Sequence, residues 1–509
     1  MKGVLVRDCS IAGREGYHVY CQDGRIVKVA ESTIPSDGDT EVIDANGGAL
    51  FPGFTDSHCH PFEYGWLKRS VNLKGAANIN AVRLRLVAGI QRAKPGEWVS
   101  GMGWDQEEFP GKAMPTRRDI DDVSPDNPVV LSRVCGHIAL LNSKSIEVLG
   151  LVDRTGEEFE RDEKGALTGI VKERALEEVY EKLPRSAERS AADLQSVEAE
   201  AGRLGLTTLH CIVSPDGYRE ELDALRLLGA SGSLSLRYRL YIPPEAIDYV
   251  GVSGTWKKLE GPRLRINGVK IYADGSLGAR TAALREPYDD NPSNTGILRY
   301  TDEQLSELVE KVDSKGMQAI IHAIGDRAVE QAVEALGRIA GANNPRRHRI
   351  EHASLLPRDL RSKMARHSIR AAVQPLFITS DTWAVDRLGE ERLRDLYPLK
   401  SMLAEGIVAS GSSDSPIESM SPILGLWAAM TRGGAGSDES LSFEQSLSLY
   451  TTNACTNGLD SDESLSEGAR ANLTLLDSDP SDMHPALLRK VGVLATIVDG
   501  TVVHSFGSA

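Results

Sequence analysis

The middle of the chain alternates amphipathic helices with short apolar strands, and this alternation limits the possible folds more than any other feature. Asn78 precedes one apolar helical face, and Gly205 ends another just before the strand 206–210. Thr301 and Gln304 form a capping-box pattern ahead of a third helix. Helix followed by strand, repeated along the chain, is typical of a parallel α/β architecture.

An eight-stranded (β/α)8 TIM-type barrel over residues 51–464 fits this alternation best. The stretch 61–128 is too long for a simple connection, so we expect an insertion around these residues. The candidate barrel strands are 54–60, 129–134, 206–211, 266–272, 319–322, 348–352, 370–374 and 407–411.

The two ends of the chain have a different pattern, with short strands separated by turns. Asp23-Gly24 and Asp499-Gly500 are each typical of a tight hairpin turn. Neither end is long enough to form a stable sheet alone. We therefore predict that residues 1–50 and 465–509 combine into one small β-sandwich domain.

Composition excludes several classes of partner. The net charge of −15 argues against nucleic acid and anionic membranes. There is no signal-peptide pattern at the start and no apolar run long enough to span a bilayer. The 6 cysteines are scattered without a Cys-x-x-Cys pair, which favours free thiols in a reducing compartment. We expect a cytoplasmic protein that acts on a small molecule.

The first candidate site is His58-Cys59-His60, at the end of an apolar strand. Residues i and i+2 of a strand project from the same face, so the two imidazoles should converge while Cys59 points away. Two converging histidines are half of a zinc site. Two polar residues at the edge of a loop are the alternative.

Lys270 is the second candidate, because it lies within an apolar strand where a bare ammonium is costly to bury. A snorkelling surface lysine is the ordinary interpretation. The functional interpretation is a lysine carbamylated by carbon dioxide, whose oxygens bridge two metal ions. Burial lowers the pKa of a lysine and so supplies the neutral amine that this reaction requires.

Later strands also end in residues that can bind a metal. His322 and Asp414 each end a strand, although a structural histidine and a helix-capping aspartate are the alternatives. His352 is preferred over His348 on the same strand, because it is nearer the carboxyl end, where barrel chemistry occurs. The alternatives weaken when the strand-end candidates are taken together in chain order: His58, His60, Lys270, His322, His352 and Asp414.

The segments around these residues form a specific combination. They closely resemble the amidohydrolase superfamily, and more narrowly the amidohydrolase-3 branch of YtcJ-like proteins, which includes N-substituted formamide deformylases. The resemblance runs nearly end to end and rests on segments 51–60, 98–105, 136–144, 169–173, 269–276, 322–326, 351–353 and 413–416.

The resemblance implies a divalent metal, most simply zinc, with one or two ions per subunit. By this resemblance His58 and His60 bind the more buried ion, and carbamylated Lys270 bridges to a second ion. His322 and His352 would bind that second ion.

The resemblance also implies roles in catalysis. Asp414 would contact the metal and act as general base and then as acid toward the leaving group. His137 could steady the oxyanion, while Trp104 and Glu173 could line the substrate pocket. For the last two, a core tryptophan and a solvated helix face are the alternatives.

The predicted activity is hydrolysis of a carbon–nitrogen bond, other than a peptide bond, in a small amide or formamide by a metal-activated hydroxide. The same site could cleave an ester, a lactone or a phosphotriester. A non-catalytic scaffold is the rival from another class, and retention of all six ligand positions argues against it. The sequence leaves the substrate and the formation of a homodimer open.

Overall fold

The computed structural model divides the chain into two compact units. One comprises Met1–Phe62 with Leu194–Ala509, and the other is Glu63–Asp193. The second unit covers the insertion that we expected around 61–128 and extends beyond it. The structure describes residues 3–36, 38–252, 261, 263–341, 343–434, 438–461 and 463–506.

The larger unit contains an 8-stranded sheet in which each strand pairs parallel to the next. Backbone hydrogen bonds close the ring, since Asp414 N–H donates to the His58 carbonyl and His60 N–H donates to the Ser415 carbonyl, each at 2.8 Å. The predicted TIM-type barrel is confirmed. Barrel strands 1 to 8 are Phe54–Cys59, Leu206–Ile212, Arg237–Ile242, Leu264–Tyr272, Gln318–Ala323, Arg349–His352, Arg370–Val373 and Ala409–Gly411.

One predicted barrel strand was wrong. Val129–Arg133 pairs with Val99–Trp104 and Ile138–Leu141 in the other unit, not in the barrel. The third barrel strand is Arg237–Ile242, which we did not predict. Its arginines are buried rather than solvated, and they pair with acids that come from far along the chain.

The unit Glu63–Asp193 is built on a 6-stranded sheet. Its core packs apolar side chains such as Leu131 and Trp104 against the helix Ile79–Ile90. The strands, in sheet order, are Phe159–Arg161, Leu167–Lys172, Ile138–Leu141, Val129–Arg133, Val99–Trp104 and Val71–Asn72.

Strands from the two ends of the chain form one sheet, as predicted. Leu50 pairs with Leu475, which joins the N-terminal strands to the C-terminal ones. One apolar core includes Val6 and Cys21 from the first end and Leu473 from the other. The strands are Val4–Ile11, Arg14–Gln22, Arg25–Ala30, Glu41–Asp44, Ala49–Pro52, Leu473–Leu476, Val493–Val498 and Thr501–Ser505.

Two helices begin with the caps that the sequence indicates. The Asn78 side chain accepts a hydrogen bond from Ala81 N–H, and Thr301 and Gln304 form a reciprocal capping box. None of the described helices is long and apolar enough to cross a membrane. The α-helices are Pro61–Arg69, Ile79–Ile90, Ser143–Val148, Glu173–Glu181, Ala187–Arg203, Tyr218–Ser231, Ala246–Val252, Asp302–Ser314, Asp326–Ala340, Arg358–Arg366, Phe377–Ser380, Ala384–Arg392, Leu399–Ala404, Pro422–Thr431, Phe443–Tyr450 and Thr452–Asn457. Short 3₁₀ helices are Gln106–Glu108, Pro110–Lys112, Arg117–Asp119, Asp121–Val123, Leu393–Asp395, Arg432–Gly434 and Pro485–Lys490.

Candidate metal centre

The two histidines at the end of barrel strand 1 lie side by side, as strand alternation requires. The ring centroids of His58 and His60 are 5.4 Å apart. Cys59 lies between them in sequence, and its sulfur is 3.6 Å from the backbone oxygen of His210 on the neighbouring strand. The His58 side chain is fully buried, whereas that of His60 is 20% exposed, so the pair sits at an open end of the barrel.

Asp414 meets both histidines directly after barrel strand 8. Its Oδ1 lies 3.3 Å from His58 Nε2 and 3.3 Å from His60 Nε2. A positive φ of 54° at Asp414 accompanies the sharp change of direction after the strand. One ligand atom from each of the three residues lies within 4.8 Å of the others. Two imidazole nitrogens and a carboxylate oxygen fit a divalent metal such as zinc.

Lys270 reaches the same place from barrel strand 4. Its Nζ is 3.2 Å from His58 Nε2, and the residue is 1% exposed. Burial lowers the pKa of the Lys270 amine to about 8. The neutral amine, which is the form that carbamylation requires, is therefore more accessible near neutral pH than it is for an ordinary lysine.

His322 and His352 complete the group from barrel strands 5 and 6. Their ring centroids are 4.5 Å apart, and His352 is 5.0 Å from His58. The carbonyl of Gly275 can only accept, so His322 Nε2, at 3.0 Å, carries the proton and Nδ1 keeps a free lone pair. The structure thus brings all six predicted ligands together at the carboxyl end of the barrel.

Hydrogen bonds also orient His58 and His352. The Nδ1–H of His58 donates to a carboxylate oxygen of Glu351. The Nδ1–H of His352 donates to Gln374 Oε1 at 2.8 Å, and the amide of Gln374 in turn donates to Ser412 Oγ at 2.9 Å. Each ring therefore keeps a free lone pair on Nε2, which is how metal-binding histidines are held in proteins.

The charge states of these side chains suit a metal site. Burial lowers the pKa of His58 and that of His352, so both rings are neutral near pH 7. Burial acts to raise the pKa of Asp414, but the carboxylate nevertheless stays ionised, with a pKa well below its usual range. Neutral imidazoles beside an ionised carboxylate are the forms that bind a divalent cation.

The sequence did not reveal several buried groups that support the candidate ligands. Asp56 accepts hydrogen bonds from Ser413 Oγ at 2.5 Å and from Ser413 N–H at 3.1 Å, and so ties strand 1 to the segment after strand 8. Glu351 and Arg349 lie beneath His58. Asp56 and Glu351 both fall within segments of the family resemblance, which was the available signal.

The three predicted substrate contacts all belong to the unit Glu63–Asp193. Trp104 is 1% exposed and its indole N–H donates to the Leu131 carbonyl at 2.7 Å, so it packs in the core of that unit. This is the packing role that the sequence left open. His137 Nδ1 lies 3.1 Å from Glu173 Oε2, and both side chains are exposed.

Comparison with known proteins gives the class. The amidohydrolase family model matches residues 41–504, which is most of the chain. The chain belongs to the amidohydrolase family.

Individual relatives cover nearly the whole molecule. The YtcJ protein of Bacillus subtilis is 31% identical over 498 residues, covering 92% of this chain and 91% of its own. The N-substituted formamide deformylase of Arthrobacter pascens is 27% identical over 494 residues, covering 91% and 90%. A metal-dependent hydrolase from Pyrococcus furiosus has a similar structure, with a TM-score of 0.80, 32% identity, and coverage of 94% of this chain and 100% of its own.

Proposed function

We propose that this protein is a metal-dependent hydrolase that cleaves a carbon–nitrogen bond, other than a peptide bond, in a small amide or formamide. The observation that carries the proposal is the convergence of six potential metal ligands, with compatible protonation, at the carboxyl end of an amidohydrolase barrel. The similarity to an N-substituted formamide deformylase supports the choice of bond.

The side chains divide into ligands and a proton carrier. A divalent metal, when bound, lowers the pKa of a water to roughly 7 and polarises the carbonyl of the substrate. The ionised carboxylate of Asp414 faces the two histidines of strand 1, where it accepts the proton of the attacking water. The protonated Asp414 then donates that proton to the departing nitrogen, which leaves as an amine.

Substrate contacts beyond these residues stay a prediction. His137 is proposed to donate a hydrogen bond to the carbonyl oxygen as negative charge develops there. Because Nδ1 faces Glu173 Oε2, which only accepts, the ring must carry both protons for its other nitrogen to donate to the substrate. His137→Asn should therefore lower kcat more than it changes KM.

The test combines metal analysis with a substrate screen. Purified protein is loaded with zinc, its metal content is measured, and it is assayed on N-formyl amines, N-acyl amines, cyclic amides and matched esters. We expect at least about one zinc per chain and hydrolysis of an amide or formamide that stops when a chelator removes the metal.

Two results would contradict the proposal. A protein that binds no divalent metal and gains no activity when metal is added is not a metal-dependent hydrolase. Hydrolysis of esters without hydrolysis of any amide would leave the metal-dependent hydrolase in place but contradict the proposed carbon–nitrogen bond.

A further inference from the structure

We infer that Glu351, clamped by Arg349, is a positioning residue that places the proton of His58 on Nδ1 and so keeps Nε2 free for a metal. The inference rests on the proposed function, because it concerns how the same site holds its ion. Neither residue is one of the six predicted ligands.

Glu351 is fully buried and has two distinct partners. One carboxylate oxygen accepts from His58 Nδ1, and the other accepts from Arg349 Nε at 2.6 Å. Arg349 and Glu351 are alternate residues of barrel strand 6, so both project inward. His352 follows directly and adopts a positive φ of 68°, which lets a consecutive residue also contribute to the site.

Arg349 holds more than the carboxylate. Its Nη2 donates to the backbone carbonyl of Ser57, next to His58, at 2.9 Å. Its Nη1 lies 3.1 Å from His210 Nδ1 and 3.2 Å from the hydroxyl of Tyr241. One buried guanidinium thus anchors both the acid that contacts the His58 ring and the backbone that carries the ring.

The protonation of His58 follows from what its neighbours can donate. An ionised carboxylate only accepts hydrogen bonds, so the neutral ring must carry its proton on Nδ1. The lone pair on Nε2 then points at Lys270 Nζ, 3.2 Å away, and at Asp414 Oδ1, 3.3 Å away. Without an acceptor at Nδ1, the ring could place its proton on Nε2 and lose the lone pair.

Glu351→Gln reverses this arrangement without changing the shape of the side chain. Arg349 can only donate, so the amide oxygen must face Arg349 and the amide NH₂ must face His58. The NH₂ group then donates to Nδ1 and moves the ring proton to Nε2, toward the metal ligands. A comparable acid-to-amide change leaves geometry intact and produces the wrong histidine tautomer in serine proteases.

The chain offers a matched control in Glu463. It is also a buried glutamate paired with an arginine, Arg237, at the start of barrel strand 3. Its other hydrogen-bond donor is the amide of Asn472 at 3.2 Å, and no histidine contacts it among the described residues. Glu463→Gln therefore makes the same chemical change in a similar buried pair that does not support a predicted ligand.

The experiment measures zinc affinity of the wild type, Glu351→Gln and Glu463→Gln by chelator competition, with far-UV circular dichroism to confirm folding. We expect Glu351→Gln to bind zinc about 10–100-fold more weakly and Glu463→Gln to match the wild type. Cobalt supplies a second readout, because its visible spectrum reports the ligands. That spectrum should change only in Glu351→Gln.

The double variant Arg349→Met/Glu351→Gln separates proton placement from general damage. Without Arg349 the amide can turn its oxygen toward His58, so zinc affinity should recover relative to Glu351→Gln alone. A zinc affinity of Glu351→Gln equal to that of the wild type would overturn the inference, as would an equal loss of zinc affinity in Glu463→Gln. Neither result would contradict the proposed function. Failure of the wild type to bind zinc would contradict both the inference and the proposed function.

Discussion

The barrel contains two buried arginine–glutamate pairs with the same chemistry and different surroundings. Arg349–Glu351 lies beneath the candidate metal centre. Arg237–Glu463 joins barrel strand 3 to the segment that precedes the strand Leu473–Leu476. The third group in the first pair is a histidine ring, whereas in the second it is the side-chain amide of Asn472. The residue that contacts the glutamate, His58 or Asn472, therefore decides whether the ion pair supports the candidate metal centre or only the fold.

The pKa values of Glu351 and Glu463 shift in opposite directions, because the balance between burial and neighbouring charges differs. Burial acts to raise the pKa of Glu351, but Arg349, His58 and Lys270 outweigh it and hold the pKa far below its usual range. Burial and the neighbouring Asp460 raise the pKa of Glu463 in spite of Arg237. The protein therefore stabilises the ionised form of Glu351 and destabilises the ionised form of Glu463.

The largest effect that separates the candidate metal centre from the rest of the barrel should come from Asp414→Asn. The amide cannot accept the proton of the attacking water, so we expect kcat to fall by about 10²–10⁴. Stability should change little. Steady-state kinetics measure the first effect and thermal unfolding the second. Activity near the wild-type level would remove Asp414 from proton transfer.

Lys270→Ala tests whether the lysine contributes to the centre. We expect activity to fall at least about 100-fold, since even outer-shell partners of a metal cost 10–100-fold. Added bicarbonate should raise the metal content of the wild type, and not that of the variant, if the amine is carbamylated. Equal metal content in both proteins at every bicarbonate concentration would rule out a bridging role.

Asn472→Asp should destabilise the surroundings of the Arg237–Glu463 pair and leave the candidate metal centre unchanged. The carboxylate cannot donate to Glu463, and it adds a second negative charge beside a buried acid. We expect a loss of about 1–3 kcal/mol in the free energy of unfolding, measured by urea denaturation. Zinc affinity serves as the control and should not change.

The smallest expected effect is a pH dependence in Glu463→Gln. The raised pKa means that folding favours the protonated acid, so the wild type loses stability as pH rises from the ordinary value of 4.5 through the raised one. Glutamine does not titrate. The stability of the variant relative to the wild type should therefore increase over this interval. If the difference in the free energy of unfolding between the two proteins does not depend on pH, then folding does not raise the pKa of Glu463.

Residues at the ends of strands were the most predictable part of the molecule. His322 follows the apolar run 319–321, and His352 and Asp414 lie at or just beyond the ends of later strands. The structure brings the three together because parallel strands end at one edge. The third barrel strand was missed because Arg237 and Arg239 suggest a solvated strand. Their partners come from residues 460–463, more than 200 positions later.

Glu351 could not be assigned a role from sequence for a similar reason. It precedes a predicted ligand within a family segment, but its partner His58 is 293 residues away. Strand alternation indicates that Glu351 and His352 should face opposite sides of the sheet. Only the positive φ of His352 allows both to serve the same site, and no local pattern predicts that backbone conformation.

The closure of the barrel has a consequence for how the protein is made. Asp56 and Ser413 are 357 residues apart in the chain, yet they hydrogen-bond beside the first and last candidate ligands. A nascent chain still lacking its final barrel strand has the two strand-1 histidines without their carboxylate. The full set of ligands therefore exists only once the chain has been made through Asp414, so the complete site can take up its ion only late in synthesis or after it.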